Sequence, residues 1–155
     1  NNLNKEYGIV CKLDIYGPID NEYKEHFEEL RRKFPRYINY RGEANPLESV
    51  SVLKDYFALL FPTKFKTEGI PGTIIDAYAA AVPVISTRWD NHVDVIEAGK
   101  TGLTYAMGSS DELKELLLIC IKTPQILMNM KENCLRKSNE YQPDYVIDLI
   151  KEYLE

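Results

Sequence analysis

The chain has 155 residues, 45% of them apolar and 28% charged, the size and make-up of one globular domain with a filled core rather than of a disordered or fibrous chain. Its 24 acidic and 19 basic side chains leave a formal charge of −5, which excludes nucleic-acid binding by bulk charge and leaves room only for a local basic pocket. Cys11, Cys120 and Cys134 are odd in number and lack CxxC or Cys/His spacing, so they read as buried thiols of a reducing compartment, neither a disulfide frame nor a zinc site. No apolar run reaches the roughly 18 residues that span a bilayer and no signal peptide opens the chain, so a soluble, cytoplasmic domain is expected.

Leu3 and Tyr7 followed by Gly8 predict the last turns of a helix. Cys11 to Tyr16 alternates toward Gly17-Pro18 as a strand ending in a turn. Tyr23, Phe27, Leu30 and Phe34 form one stripe of an amphipathic helix closed by Pro35. Tyr37 to Tyr40 predicts a short strand, and Leu47, Val50 and Leu53 a short helix. Ala58 to Phe61 is a continuous apolar run stopped by Pro62, as expected of a strand buried on both faces.

A polar loop from Thr63 to Glu68 leads into Gly69-Ile70-Pro71-Gly72-Thr73 and then a helix, Ile74 to Ala81, apolar enough to require deep packing. Val82 to Ser86 predicts a second buried strand, with Pro83 near its start. Val93 and Ile96 suggest one helical turn, and Leu103 to Tyr105 a last short strand. Ser110, Asp111 and Glu112 open a helix whose face is Leu113, Leu116, Leu117, Cys120 and Ile121. Thr123-Pro124 caps the next helix, and Pro143 begins a final one with Val146, Ile147, Ile150, Tyr153 and Leu154 on one stripe. Strands alternating with helices predict an α/β, Rossmann-like domain over 1–155, a parallel sheet with helices on both faces. Ligands of such sheets sit beyond the carboxyl ends of strands, here the loops beginning at Gly17, Arg41, Pro62 and Thr87.

One segment carries the chemistry. Glu68 lies in the loop after a buried strand, and Asp76 lies eight positions later, inside a helix. Gly69 and Gly72 let backbone amides approach a ligand, and the helix start offers unpaired donors and a partial positive charge suited to a diphosphate. Asp76, one turn in, can accept from a pair of ribose hydroxyls, and Glu68 from a second polyhydroxy group beyond the phosphates. Sugar, diphosphate and ribose in a row describe a nucleotide-sugar.

Glu68 to Asp76, with the trailing Val82-Pro83-Val84-Ile85, resembles the acid-x7-acid motif of the retaining glycosyltransferases of family 4, glycosyl transferases group 1, which have the two-domain GT-B fold. The resemblance extends to Leu13–Gly17, Tyr40-Arg41-Gly42, Phe61-Pro62-Thr63 and the glycine turn Ala98–Gly102. It implies a C-terminal donor-binding domain taking a UDP-sugar or GDP-sugar without a metal. Glu68 is then the catalytic candidate at the sugar hydroxyls. Gly69, Gly72 and Thr73 take the diphosphate, Asp76 the ribose, and Gly17, Arg41, Gly42 and Glu43 the nucleotide side, with the Arg41–Ala44 loop bordering the base. The implied partners are the missing N-terminal acceptor-binding domain and a lipid-linked or polysaccharide acceptor at the inner membrane face, in surface or capsular polysaccharide assembly.

Three departures from the family pattern stand out. Asp76 is one methylene shorter than the usual glutamate. Ala81 replaces a common glycine, with an effect expected on packing alone. The family's Arg and Lys–Gly pair in the first strand and loop have no counterpart before Leu3, which implies a fragment that transfers no sugar alone and binds donor weakly. The final helix of such a fragment is expected to leave its stripe partly uncovered. Among bland alternatives, His26 reads as an inert helix residue and Asp90-x-His92-x-Asp94 as a surface loop rather than a metal site. Arg88 and Trp89 either line the site or pack beneath its loop. Two rival functions remain: a nucleotide-sugar 2-epimerase, and a non-enzymatic flavodoxin-like module.

Overall fold

The computed structural model describes the backbone of residues 2–8 and 10–154, and the side chains within it except those of 149 and 152–154. The chain forms two compact units, Asn1–Glu48 and Ser49–Glu155, taken separately below.

The first unit holds α1 (Asn2–Tyr7), β1 (Leu13–Tyr16), α2 (Lys24–Arg31) and β2 (Ile38–Gly42), with single 3-10 turns at Asn21–Tyr23 and Pro46–Glu48. Gly8 ends α1 at a φ of 80°, a left-handed conformation that glycine takes without steric cost. The buried Asn4 side chain donates to the Cys11 carbonyl and accepts from the amides of Val10 and Cys11, so it stands in for a strand partner where the chain enters β1. β1 and β2 pair in parallel, Leu13 opposite Ile38 and Ile15 opposite Tyr40, with a register shift before Tyr16. The stripe on α2 is covered only at its centre. Phe27 packs edge-on against Phe34 and Tyr40, while Tyr23 and Leu30 stay exposed.

The second unit runs α3 (Ser49–Leu53), β3 (Leu59–Phe61), α4 (Gly72–Ala79), β4 (Val84–Thr87), α5 (His92–Val95), β5 (Gly102–Tyr105), α6 (Ser110–Lys122), α7 (Gln125–Met128), α8 (Lys131–Asn139) and α9 (Pro143–Leu154). Its strands pair in parallel in the order β3-β4-β5. β4 is central, and it is buried at every position, the burial being what its composition predicts. β3 is only half-buried, because among the described residues it pairs on one side alone; an apolar run does not distinguish a central strand from an edge.

The core forms around α4, whose Ile74, Ala77 and Tyr78 are fully buried with Val84, Ile85, Val95, Ile96, Leu127, Met130 and Cys134. The Tyr78 hydroxyl donates to the Val95 carbonyl at 3.0 Å and pairs with Thr101 Oγ1 at 3.0 Å, which satisfies the one polar atom that α4 carries inward. Burial raises the ionisation of this phenol well above its ordinary value. α4 also packs on α8. α6 opens at Ser110 as expected, with Ser109 capping it by accepting the Glu112 amide, and Thr123 terminates α6 rather than capping α7. On α9, Val146, Ile147 and Ile150 are 41–53% exposed, matching the uncovered stripe; Tyr153 and Leu154 lie outside the described side chains. No described helix is long and apolar enough to cross a membrane.

Ala81 departs from the expected effect on packing alone. Its φ is 58°, so the alanine affects the backbone as well as the packing. The Val82 amide donates to the Ala77 carbonyl and the Ala81 amide to the Tyr78 carbonyl, the Schellman pattern whose left-handed position favours glycine. Ala81→Gly should therefore stabilise the fold by about 1 kcal/mol, read as a higher denaturation midpoint. Gly102→Ala should do the reverse. A Cβ there would overlap the Val84 carbonyl oxygen across the β4–β5 ladder and crowd Ile96, so a loss of about 3 kcal/mol is expected in urea titration. Cys134, whose thiol is pushed up to about 12 mainly by burial, should react with a thiol reagent at neutral pH only on unfolding. Half-buried Cys11 should be modified first.

Candidate functional site

β3 feeds the loop that carries Glu68, and the loop feeds α4. Pro71 occupies the N-cap of α4 in extended conformation (φ −70°, ψ 121°) and supplies no side-chain acceptor. The amides of Ile74 and Ile75 turn back to the Pro71 carbonyl at 2.9 and 3.4 Å. Those of Gly72 and Thr73 have no acceptor among the described residues, and both residues are exposed. Two donors thus stand open at the positive end of a helix whose inner face, Ile74, Ala77 and Tyr78, is buried. A Cβ on Gly69 or Gly72 would meet nothing within 4 Å, and neither residue has a positive φ. The fold itself needs no glycine at either place.

The two acids are held differently. Glu68 is half-buried, and Thr63 Oγ1 donates to its Oε2 at 2.8 Å. Asp76, also half-buried, accepts from Ser49 Oγ at 2.7 Å through Oδ2. The second oxygen of each carboxylate has no hydrogen-bond partner among the described residues. Neither Thr63 nor Ser49 was singled out from the sequence as a partner of these acids. Each is a short hydroxyl residue beside an element boundary, common enough to carry no signal alone.

After β4, Arg88 is engaged: its Nη2 lies 3.1 Å from Glu112 Oε2, the oxygen that also accepts the Ala106 amide. Trp89 packs rather than lines. It is 3% exposed, edge-on to Phe61 and His92, and its Nε1 is buried without a partner among the described residues. His92 Nδ1 sits 2.6 Å from the Trp89 carbonyl. His26 is exposed on α2, its ring beside Tyr23.

In the first unit, Gly17 takes a φ of 138°; its amide donates to the Gly42 carbonyl at 3.0 Å and its carbonyl accepts the Tyr40 hydroxyl at 2.7 Å. The Gly17 amide is thus occupied within the chain. Arg41 Nε lies 3.1 Å from Asp14 Oδ2, and Asn39 donates to the other oxygen of Asp14. Gly42 ends β2 at a φ of 78°, and Glu43 is exposed beyond it.

A chitobiosyldiphosphodolichol beta-mannosyltransferase of Candida glabrata is 24% identical over 132 residues, 84% of this chain and 28% of that protein. The crystal structure of Anabaena Alr3699/HepE in complex with UDP superposes with a TM-score of 0.80 at 16% identity, over 99% of this chain and 43% of that one. The C-terminal domain of a glycosyl transferase group 1 family protein, LpcC from Francisella tularensis, gives a TM-score of 0.71 at 18% identity, over 92% of this chain and 75% of that domain. The chain therefore spans under half the length of the Candida and Anabaena proteins. Its Rossmann-like α/β fold is that of the GT-B glycosyltransferases. With residues 2–123 matching the family model, the chain belongs to the glycosyl transferases group 1 family.

Proposed function

We propose that this chain is the donor-binding part of a retaining glycosyltransferase that takes a sugar from a nucleoside diphosphate and passes it to an acceptor held elsewhere in the whole protein. The observation that carries the reading is the pair of open amides at Gly72 and Thr73, between Glu68 in the preceding loop and Asp76 one turn inside α4. Family membership and the likeness to proteins solved with UDP and with UDP-glucose support it.

Bond breakage leaves negative charge on the departing diphosphate. Amides fixed by a buried helix stabilise that charge without reorganising, and removing one such donor from an enzyme costs on the order of 3 kcal/mol. Gly69 and Gly72 leave the approach clear of side chains. Glu68 orients the transferred sugar through its hydroxyls, and Asp76 takes the ribose through the oxygen that Ser49 does not engage. The reaction proposed needs no metal. The donor is a UDP-sugar or GDP-sugar. The acceptor is a lipid-linked or polysaccharide chain at the inner membrane face, in surface polysaccharide assembly.

Amide-resolved titration of the purified chain with UDP, GDP and inorganic phosphate tests the site. Shifts are expected along Glu68–Asp76 for the nucleotides, with Gly17, Arg41, Gly42 and Glu43 marking whether the nucleoside reaches the first unit. No response to either nucleotide refutes the reading. Gly72→Pro deletes one donor at a position where proline suits a helix start and follows an extended residue. It should weaken nucleotide binding about ten- to a hundredfold, while Gly72→Ala, which keeps the amide, should cost far less.

A further inference from the structure

We propose that Thr63 is the positioning residue for sugar recognition: it ties one oxygen of Glu68 so that the other is presented to the hydroxyls of the bound donor. This rests on the donor-site reading above and extends it to a residue that makes no ligand contact.

The loop from Pro62 to Pro71 has little packing to hold it. Lys64, Phe65, Lys66 and Thr67 are all exposed, Phe65 by 75%. It is held instead by donors from β4 and the turn after it. Ser86 Oγ donates to the Phe61 carbonyl at 2.8 Å, Thr87 Oγ1 to the Thr63 carbonyl at 2.8 Å, and the Asp90 amide to the Lys66 carbonyl at 2.9 Å. Ser86 and Thr87 are themselves buried in the central strand, so the latch has a rigid base.

The Thr63 hydroxyl then has a defined direction. It carries one proton and can accept as well. The Phe65 amide donates to it at 3.1 Å, and its own proton goes to Glu68 Oε2 at 2.8 Å. A glutamate held this way loses less side-chain entropy on meeting a ligand than a free one. The simpler role, a hydroxyl that only shapes the turn through Phe65, makes a different prediction. It affects every ligand of the loop equally and does not involve Glu68.

The experiment measures affinities of the purified chain for UDP and UDP-glucose, and for GDP and GDP-mannose, in wild type, Thr63→Val, Thr63→Ser, Glu68→Ala and the Val/Ala double variant. Thr63→Val should weaken the sugar nucleotide that binds best by about tenfold and leave the bare nucleotide within about twofold. Thr63→Ser should restore wild-type values, and Thr63→Val should add nothing in the Glu68→Ala background. Equal losses for bare and sugar nucleotides, no loss for either, failure of Thr63→Ser to rescue, or additive losses in the double variant would each overturn the role given to Thr63. A wild-type chain that binds no nucleotide would overturn the donor-site reading itself, and this inference with it.

Discussion

The candidate site depends on one short helix whose inner face is completely buried. α4 presents Ile74, Ala77 and Tyr78 to the core with none of their surface left in water, and α8 packs against it. Burial of those side chains contributes on the order of 2 kcal/mol each for the larger ones, and the satisfied Tyr78 hydroxyl avoids the penalty of an orphaned polar group. A helix fixed so firmly cannot turn its first amides toward the protein. The amides of Gly72 and Thr73 take their direction from the packing of Ile74, Ala77 and Tyr78 further along the same helix, and that link joins stability to the proposed chemistry.

The C-terminus of α4 shows how tightly the chain is committed to this geometry. Ala81 adopts a left-handed conformation that costs an alanine about 1 kcal/mol or more, and both Schellman hydrogen bonds form regardless. The strain is tolerated because β4 must begin immediately afterwards, with Pro83 and Val84 already buried. A close turn from helix to central strand leaves no room for a looser connection. Gly102 is the counterpart across the ladder, where β5 approaches β4 too closely for any Cβ.

Much of this was legible in the residues. Helical spacing located α2, α6 and α9 and apolar composition α4, each to within a few positions, and Val82–Ser86, expected as a buried strand, contains most of β4. Glu68 and Asp76 stand out in the sequence because their spacing, with glycines between, has a chemical reason, and the fold sets one in the loop before α4 and the other inside it. What escaped were features created by contacts distant in sequence. Thr87 reaches the Thr63 carbonyl across 24 positions and Ser49 reaches Asp76 across 27, and neither pairing leaves a local trace. Asn4 clamping Cys11 escaped for a related reason, since its buried amide imitates a backbone neighbour that no periodicity encodes. The half-buried state of β3 was likewise beyond reach, because edge or centre is a property of topology and not of composition.

The chain contains a single tryptophan, and the fold places it under the turn that follows β4, its ring beside Phe61 at the end of β3. An indole so enclosed emits at shorter wavelength than one in water, and its N–H, which has no partner among the described residues, makes the emission sensitive to any polar atom that arrives. The second unit therefore carries an intrinsic optical reporter a few side chains from the latch that holds Glu68, and the first unit has no tryptophan.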